Sequence, residues 1–336
     1  MINKMTEISD KLERQRKDDS KLLVKMQVAA QGQEPRFFIV SQIHRSTQDL
    51  NLLCLEQGDA FHGTRVSGCP LLSPSRSPVL FAGPAAFNGN FPQKDGVVIT
   101  FDIDEPQERI HESLANLTEH PALSGIPIIA LSVDYGQGLA QAIEHSFHRN
   151  RSIEEMLVSR LVKPERCDES VLVLLCSDSR VLPPSTPVGV PYAIQTLGAY
   201  VSKYTGANDE TMQLNDFFSN WLSTDASEKR ILIVEHGGFT QDEPPCGAGQ
   251  ASLNPDRVKG EFLRPVIELL HREALRFEDG ISKTVEDRVL AIGQATEHNL
   301  RNYPAIARAQ EEGVSMESLF QIVTMDTVTG RLREIG

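Results

Sequence analysis

The sequence predicts an α/β fold, a mostly parallel β-sheet flanked by helices, together with an extra N-terminal domain. Three observations support this class. From residue 96 onward, short apolar runs alternate with longer helical patterns. The stretch before residue 96 differs, since Gly, Pro, Ser and Asn interrupt it. A chain of 336 residues with 40% hydrophobic and 24% charged residues can fold into two domains.

The N-terminal part predicts few regular elements. Residues 1–30 have the spacing of one amphipathic helix, and "RFFIVSQI" (36–43) and "LNLLCLEQ" (50–57) are interpreted as short strands. Residues 58–95 are expected to be largely irregular because turn-forming residues dominate them. We detect no internal repeat. Residues 1–135 are assigned to an N-terminal domain of unknown role, and residues 136–336 to a second domain.

The elements from residue 96 onward follow a regular order. The predicted strands are "GVVITFDI" (96–103), "IPIIALSV" (126–133), "VLVLLC" (171–176), the start of "YAIQTLGAYV" (192–201) and "RILIVEH" (230–236). The predicted helices cover 105–117, roughly 138–162, 211–222 and 261–277, and a hairpin closes the chain over 318–335. Ligands of such sheets bind beyond the carboxyl ends of the strands.

Charge and composition exclude several classes of protein. A formal charge of −13 and a pI near 5.2 argue against a nucleic acid or an anionic membrane as partner, because neutralising phosphates requires a basic face. The sequence contains neither an apolar run long enough to insert into a membrane nor the apolar core of a signal peptide. We therefore expect a cytoplasmic protein, with peripheral membrane association compatible with that location.

The five cysteines divide into two groups. An odd and sparse set indicates free thiols or metal ligands rather than a disulfide framework. Cys54, Cys69 and Cys167 are interpreted as small apolar residues. His62 and Cys69 are considered as a second metal site and set aside, because nothing in the surrounding Gly/Pro loop fixes their geometry.

Chemically reactive side chains lie at the ends of two predicted strands. Cys176 ends one strand and His236 another, and Cys246 follows ten residues after His236. Two thiolates and one imidazole form a ligand set that zinc favours, and three protein ligands leave one position open, as in catalytic sites. Asp178 and Arg180 lie on the same side of an extended segment as Cys176, so Arg180 can hold the carboxylate of Asp178 ionised.

The pattern Cys-x-Asp-x-Arg at a strand end, followed by a strand ending in His and by a Cys-Gly, resembles the β-class carbonic anhydrases. The resemblance covers roughly residues 136–336, and the closing "DTVTGRL" is similar to that family's D-x-x-T-G-x-L. It implies that Cys176, His236 and Cys246 bind Zn2+, that Asp178 and Arg180 form the catalytic dyad, and that the amide of Gly247 lies near the substrate. It also implies a homodimer or higher homo-oligomer.

Two segments depart from that family's pattern. Nine residues separate His236 from Cys246, where common members have two, and the usual Arg-Asn-Ala-Gly is "QTLG" (195–198). A lengthened His-to-Cys loop is similar to that of the carboxysomal shell carbonic anhydrases and of the large subunits of membrane-coupled inorganic-carbon uptake complexes. Residues 1–135 match no family pattern.

The expected function is the reversible hydration of CO2 to bicarbonate by zinc-bound hydroxide. Asp242 and Glu243 are candidate proton shuttles by position alone. One alternative is a zinc-stabilised, non-catalytic scaffold of inorganic-carbon handling, with residues 1–135 binding a protein partner such as a transporter or a microcompartment shell. Another is hydrolysis of a CO2-like molecule, carbonyl sulfide or carbon disulfide.

Overall fold

The computed structural model describes residues 8, 24, 28, 34–207, 209–237, 239, 243–278 and 284–335. The described chain is α/β, as predicted, and it contains two mostly parallel five-stranded sheets flanked by helices. The helix predicted over residues 1–30 lies outside the described residues except for Ile8, Val24 and Val28, each of which is helical. Ile8 is buried in the apolar cluster beneath the second sheet.

The first sheet is formed by the strands β1 (Phe37–Gln42), β2 (Ala60–Arg65), β3 (Gly96–Asp102), β4 (Ile128–Asp134) and β5 (Leu139–Ala142). Their order is β2-β1-β3-β4-β5, with only the β4–β5 pair antiparallel. The helices of this half are α1 (Ser46–Leu52), α2 (Gly83–Asn90), α3 (Gln107–Thr118) and α4 (Arg151–Ser159). Apolar clusters cover both faces of the sheet, which is what a parallel sheet requires.

The second sheet is formed by β6 (Cys167–Cys176), β7 (Val190–Thr196), β8 (Arg230–His236), β9 (Phe320–Met325) and β10 (Leu332–Glu334). Their order is β7-β6-β8-β9-β10, and only β9–β10 is antiparallel. The helices are α5 (Glu210–Trp221), α6 (Gly247–Leu253), α7 (Leu263–Ala274), α8 (Val285–Arg301), α9 (Pro304–Glu311) and α10 (Met316–Leu319).

Three predicted elements are corrected. The segment 50–57, predicted as a strand, belongs in part to α1, where Leu50 and Leu52 pack under the first sheet. Residues 58–95, predicted as irregular, contain β2 and α2. The long helix predicted over 138–162 is wrong: β5 occupies its start, because the turn at Gly138 (φ 69°) sends the chain back along β4, and only α4 is helical.

The two sheets share one topology, which corrects the expectation that the chain has no internal repeat. In each half the second strand is an edge, the first strand lies next to it, the third strand is central, and an antiparallel hairpin forms the opposite edge. The two hairpin turns are alike. In each, an Asp is followed four residues later by a glycine with positive φ, namely Asp134 and Gly138 in the first half and Asp326 and Gly330 in the second. In both turns the glycine N–H donates to the aspartate carbonyl. The predicted boundary after residue 135 falls in the first of these turns, between two strands of one sheet.

The halves meet through their edge strands, β2 and β7. The His62 N–H donates to the Ser177 carbonyl at 3.1 Å, and the Ala193 N–H donates to the Ile43 carbonyl at 3.0 Å. His62 and Ala193 lie at equivalent positions of β2 and β7, while Ile43 and Ser177 directly follow β1 and β6. Reciprocal contacts between equivalent residues are the mark of a two-fold interface.

Candidate metal centre

Three side chains predicted as metal ligands converge beyond the second sheet. Cys176 ends β6 and His236 ends β8, two adjacent parallel strands, so both residues reach the same edge of the sheet. Cys246 is the N-cap residue of α6. The ligand atoms of the three residues lie within 4.8 Å of one another, and all three residues are buried.

The long loop between His236 and Cys246 closes because of a glycine. Gly237 has φ +88°, and a Cβ at this position would lie 2.2 Å from the Cys246 backbone nitrogen. The start and end of the loop are therefore in contact, and a residue with a side chain would separate them. The nine-residue loop thus leaves Cys246 beside His236.

Glu243 fixes the same loop. Its carboxylate accepts hydrogen bonds from the N–H groups of Gly237 (2.9 Å), Phe239 (3.1 Å) and Thr327 (3.0 Å), and the side chain is buried. These contacts join the loop to the turn after β9. They support a structural role for Glu243 rather than proton transfer; Asp242, the other candidate shuttle, lies outside the described residues.

Asp178 and Arg180 form a bidentate pair, as the sequence predicts. The Arg180 Nε donates to Asp178 Oδ1 at 2.9 Å, and its Nη2 donates to Oδ2 at 2.6 Å. Burial by itself would raise the pKa of Asp178, but the hydrogen bonds and charge of Arg180 outweigh it and lower that pKa to about 2. The carboxylate next to the cysteine–histidine cluster is therefore ionised at neutral pH.

Arg180 has a second set of contacts that the sequence analysis did not identify. Its Nη2 donates to the Pro245 carbonyl at 3.1 Å, and its Nη1 to the Pro244 carbonyl at 3.4 Å. One guanidinium thus links Asp178 to the residues directly before Cys246. The sequence gives only a weak indication of these contacts. Two prolines before a cysteine predict an extended segment without regular secondary structure, but not the partner of its carbonyls.

The two thiols differ in acidity. A hydrogen bond from Cys176 and the charge of His236 lower the pKa of Cys246 well below its usual value. The hydrogen bond to Cys246, followed by burial, raises the pKa of Cys176. The Gly198 N–H points at the Cys176 sulfur, 3.3 Å away, an arrangement that favours a thiolate ligand. Gly198 has φ +65° and is the residue of "QTLG" that agrees with the family pattern.

The residues fit a zinc ion. Neither ring nitrogen of His236 makes a hydrogen bond of normal geometry, although both are buried. A buried imidazole without such a partner is costly, and a metal ion would satisfy one nitrogen. Tetrahedral zinc, with Zn–S about 2.3 Å and Zn–N about 2.0 Å, places its ligand atoms roughly 3.5–4 Å apart, compatible with the observed cluster.

The other candidate residues are not members of this cluster. Among the described residues, Cys176, His236 and Cys246 are the one group of three or more His, Cys, Asp or Glu side chains arranged to hold a metal. His62 and Cys69, considered as a second site, belong to no such group among the described residues. Gly247 directly follows Cys246, and a Cβ there would meet no atom within 4 Å, so the space beside it is open.

His62 of the first half is a neighbour of the site that the sequence analysis missed. It is buried, and its backbone is bonded to Ser177, between Cys176 and Asp178. Burial lowers the pKa of His62 to about 3, an effect that the nearby Asp178 carboxylate only partly offsets. A neutral imidazole from the other half thus lies beside the dyad.

Comparison with known proteins gives a fold similarity and little more. No protein-family model matches the chain, and no curated protein matches it in sequence. Among solved structures, the β-carbonic anhydrase CcaA is 22% identical, with a TM-score of 0.35 over 54% of this chain and 77% of that one. Tetrameric β-carbonic anhydrases from the filamentous ascomycete Sordaria macrospora are also 22% identical, with a TM-score of 0.35 over 50% and 80%.

A carbon disulfide hydrolase is 20% identical, with a TM-score of 0.27 over 49% of this chain and 77% of the hydrolase. At such identities and TM-scores the likeness assigns no activity.

Within the described part of the chain, no helix is long and apolar enough to cross a membrane.

Proposed function

We propose that the protein catalyses the zinc-dependent, reversible hydration of CO2 to bicarbonate. One observation carries this proposal: a buried Cys176–His236–Cys246 cluster lies beside a carboxylate that an arginine keeps ionised. Such a donor set suits zinc, and three protein ligands leave a fourth position for water or substrate. When bound, zinc would act as a Lewis acid that makes water a nucleophile near neutral pH.

Asp178 would act as a hydrogen-bond acceptor next to the metal. Because its pKa is about 2, the carboxylate has no proton to donate at neutral pH and can only accept hydrogen bonds. Both of its oxygens are bound to Arg180, which restricts its orientation. We propose that Asp178 orients the proton of the reacting water, and that Arg180 holds Asp178 and the loop before Cys246 in place.

The substrate would bind on the open side of the cluster. We propose that the amide of Gly247 lies near it, in keeping with the free space beside this residue. CO2, carbonyl sulfide and carbon disulfide are all small linear electrophiles that the same nucleophile can attack. CO2 is the substrate that we propose, and the two sulfur compounds are the comparison substrates of the assay.

The remaining expectations about the protein's setting belong to this proposal. We propose a cytoplasmic enzyme that forms a homodimer or higher homo-oligomer, with neither nucleic acid nor membrane insertion involved. The alternative is a zinc-stabilised scaffold without activity, whose N-terminal residues bind a protein partner. Catalysis and scaffolding differ in what they require of Arg180, since only catalysis needs Asp178 to be oriented.

The test compares two arginine variants with the wild type. Zinc content and the rate of CO2 hydration are measured by metal analysis and stopped flow for the wild type, Arg180→Ala and Arg264→Ala. Arg264 is a half-exposed arginine that forms surface ion pairs with Asp256 and Glu268, and serves as the control. We expect one zinc per chain in all three proteins, with hydration at least about a hundredfold slower in Arg180→Ala only.

Zinc-loaded wild type without hydration above the buffer rate would support the scaffold and contradict the proposal. Hydrolysis of carbonyl sulfide or carbon disulfide, without CO2 hydration, would replace the substrate but keep the site.

Cys176→Ser is expected to lose the zinc. Zinc retained at full affinity in that variant would show that the ligands are wrongly assigned.

A further inference from the structure

The first half of the molecule has residues at the positions that form the metal cluster in the second half. Counting along each strand from its first paired residue, Gln42 occupies the position of Cys176, and Asp102 that of His236. Glu105 lies one residue before the N-cap of the first helix after β3, and Cys246 is the N-cap of the first helix after β8. Neither a thiol nor an imidazole remains at these positions.

The three replacement side chains converge as the ligands do. The Gln42 Nε2 lies 3.3 Å from an Asp102 carboxylate oxygen and donates to Glu105 Oε2 at 3.1 Å. Glu105 is buried, and Gln42 is buried as well. An amide and two carboxylates therefore surround one point at the end of the first sheet, at the place equivalent to the candidate metal centre.

A guanidinium supplies the positive charge at this point. The Arg65 Nη1 and Nη2 donate to the two oxygens of Glu105 at 3.0 and 2.9 Å, and the same side chain donates to the carbonyls of Cys69 and Thr100. The Arg65 side chain is fully buried. Gln42 pairs with Arg65 across β1 and β2, and Cys176 pairs with Thr196 across β6 and β7, so the second half has an uncharged residue where the first has Arg65.

We propose that the first half is a metal-free copy of the second, in which the Arg65 guanidinium occupies the place of the metal cation. Glu105 then neutralises Arg65 as the thiolates would neutralise zinc, whereas Asp102 pairs with Arg45 at 3.0 Å and its other oxygen lies 3.3 Å from His44 Nε2. A buried, planar and permanently charged donor suits this position, because its two Nη groups donate to carboxylate and carbonyl acceptors.

The metal-free copy also contributes a residue to the surroundings of the candidate metal centre. The reciprocal hydrogen bonds of His62 to Ser177 and of Ala193 to Ile43 place the first half where a second subunit would stand in a two-fold dimer. It thereby puts His62 beside Asp178 in the metal-binding half. The inference rests on the metal site of the proposed function, but not on the reaction catalysed there.

Cobalt titration tests the inference without an activity assay. Co2+ bound by two thiolates gives sulfur-to-metal charge-transfer bands in the near ultraviolet, whereas carboxylate and amide ligands give none. We expect one Co2+ per chain with these bands in the wild type and in Asp102→Asn. Cys176→Ser is expected to lose both the bands and the tightly bound ion.

Two cobalt ions per wild-type chain, with the second lost in Asp102→Asn, would overturn the inference while leaving the proposed function intact. A chain that binds no cobalt at all would contradict the proposed function. One ion per chain in the wild type, with Asp102→Asn equal to it, supports the metal-free assignment even where other variants fail to fold.

Removing Arg65 provides a second test. Arg65→Ala leaves Glu105 buried beside a vacated space, so methylguanidinium added at millimolar concentration is expected to raise its melting temperature. The wild type and the surface control Arg264→Ala should show no such rise. A folded Arg65→Ala whose melting temperature does not respond would contradict the assignment of a cation site; if it does not fold, the cobalt stoichiometry decides.

Discussion

At the scale of the residue, buried charged groups are tolerated where other groups satisfy them. Arg180 binds the Asp178 carboxylate and two loop carbonyls, and Arg65 binds Glu105 and two carbonyls. Glu210, at the start of α5, differs, because no cation is among its hydrogen-bond partners. It accepts hydrogen bonds from the N–H groups of Val79 and Leu80 and from two serine hydroxyls.

Glu210 is expected to make stability depend on pH. Burial raises its pKa from 4.5 to about 7, although the hydrogen bonds act in the opposite direction. The folded chain therefore binds this proton more tightly than the unfolded chain. The resulting stabilisation is fully present below pH 4.5 and is lost as the pH rises through 7.

Glu210→Gln should remove this dependence, since the amide keeps the shape and cannot ionise. Between pH 4.5 and 8 the free energy of unfolding of the wild type should fall, relative to the variant, by roughly 3 kcal/mol at 1.36 kcal/mol per pKa unit. Urea denaturation at several pH values measures the difference. Parallel pH profiles for the two proteins would show that ionisation of Glu210 does not lower the free energy of unfolding.

At the scale of the element, the site depends on how strands end and how loops return. The end of β6 and the end of β8 position Cys176 and His236, and the beginning of α6 positions Cys246. Nine residues separate His236 from Cys246, so the return of this loop decides where Cys246 lies. Gly237 and Glu243 hold its two ends together.

Gly237→Ala is expected to disrupt metal binding. The new Cβ would lie 2.2 Å from the Cys246 nitrogen, and φ +88° is unfavourable for alanine, so the loop must move and carry Cys246 with it. Zinc affinity should fall by about 10–100-fold, as measured by competition with a chromophoric chelator. Gly247→Ala is the matched control, because its Cβ would meet nothing within 4 Å, and it should bind zinc like the wild type. Equal affinity of the wild type and Gly237→Ala would show that the contact is unimportant.

The sequence predicted that Cys176, His236 and Cys246 come together because Cys176, Asp178 and Arg180 form a local pattern, and because strand ends in a parallel sheet meet at one edge. It could not predict the closure of the His-to-Cys loop, which depends on contacts of Gly237 and Glu243 with distant backbone. The predicted helix over 138–162 was wrong because the spacing of apolar residues gives no indication of the tight turn at Gly138. The buried strand β2 was missed as well, because the Gly, Pro and Ser residues around it predicted an irregular segment.

At the scale of the whole molecule, two copies of one topology face each other across β2 and β7. The repeat escaped the sequence analysis because strand order and hydrogen bonding are shared, whereas the side chains at equivalent positions are not. Gln42 and Asp102 have replaced Cys176 and His236, for example. Only the similar turns at Asp134 and Asp326 give a signal in the sequence.

The contact between the halves can be weakened at one hydrogen bond. The Gln195 N–H donates to the Thr64 hydroxyl at 2.8 Å across the interface. Thr64→Val keeps the shape of the side chain but leaves this buried N–H without its acceptor, at a cost of about 1–3 kcal/mol in the free energy of unfolding. Thr224→Val, at an exposed position, should change it by less than about 0.5 kcal/mol. Urea denaturation that gave equal losses for both variants would indicate that the halves are held together by other contacts.

The exchange of 18O between labelled CO2 and water tests the central claim most directly, because it follows hydration and dehydration together at equilibrium. For the wild type containing one zinc per chain, the account predicts depletion of the label much faster than in buffer. It also predicts a return to the buffer rate in Cys176→Ser. Depletion at the buffer rate by the zinc-loaded wild type would contradict it.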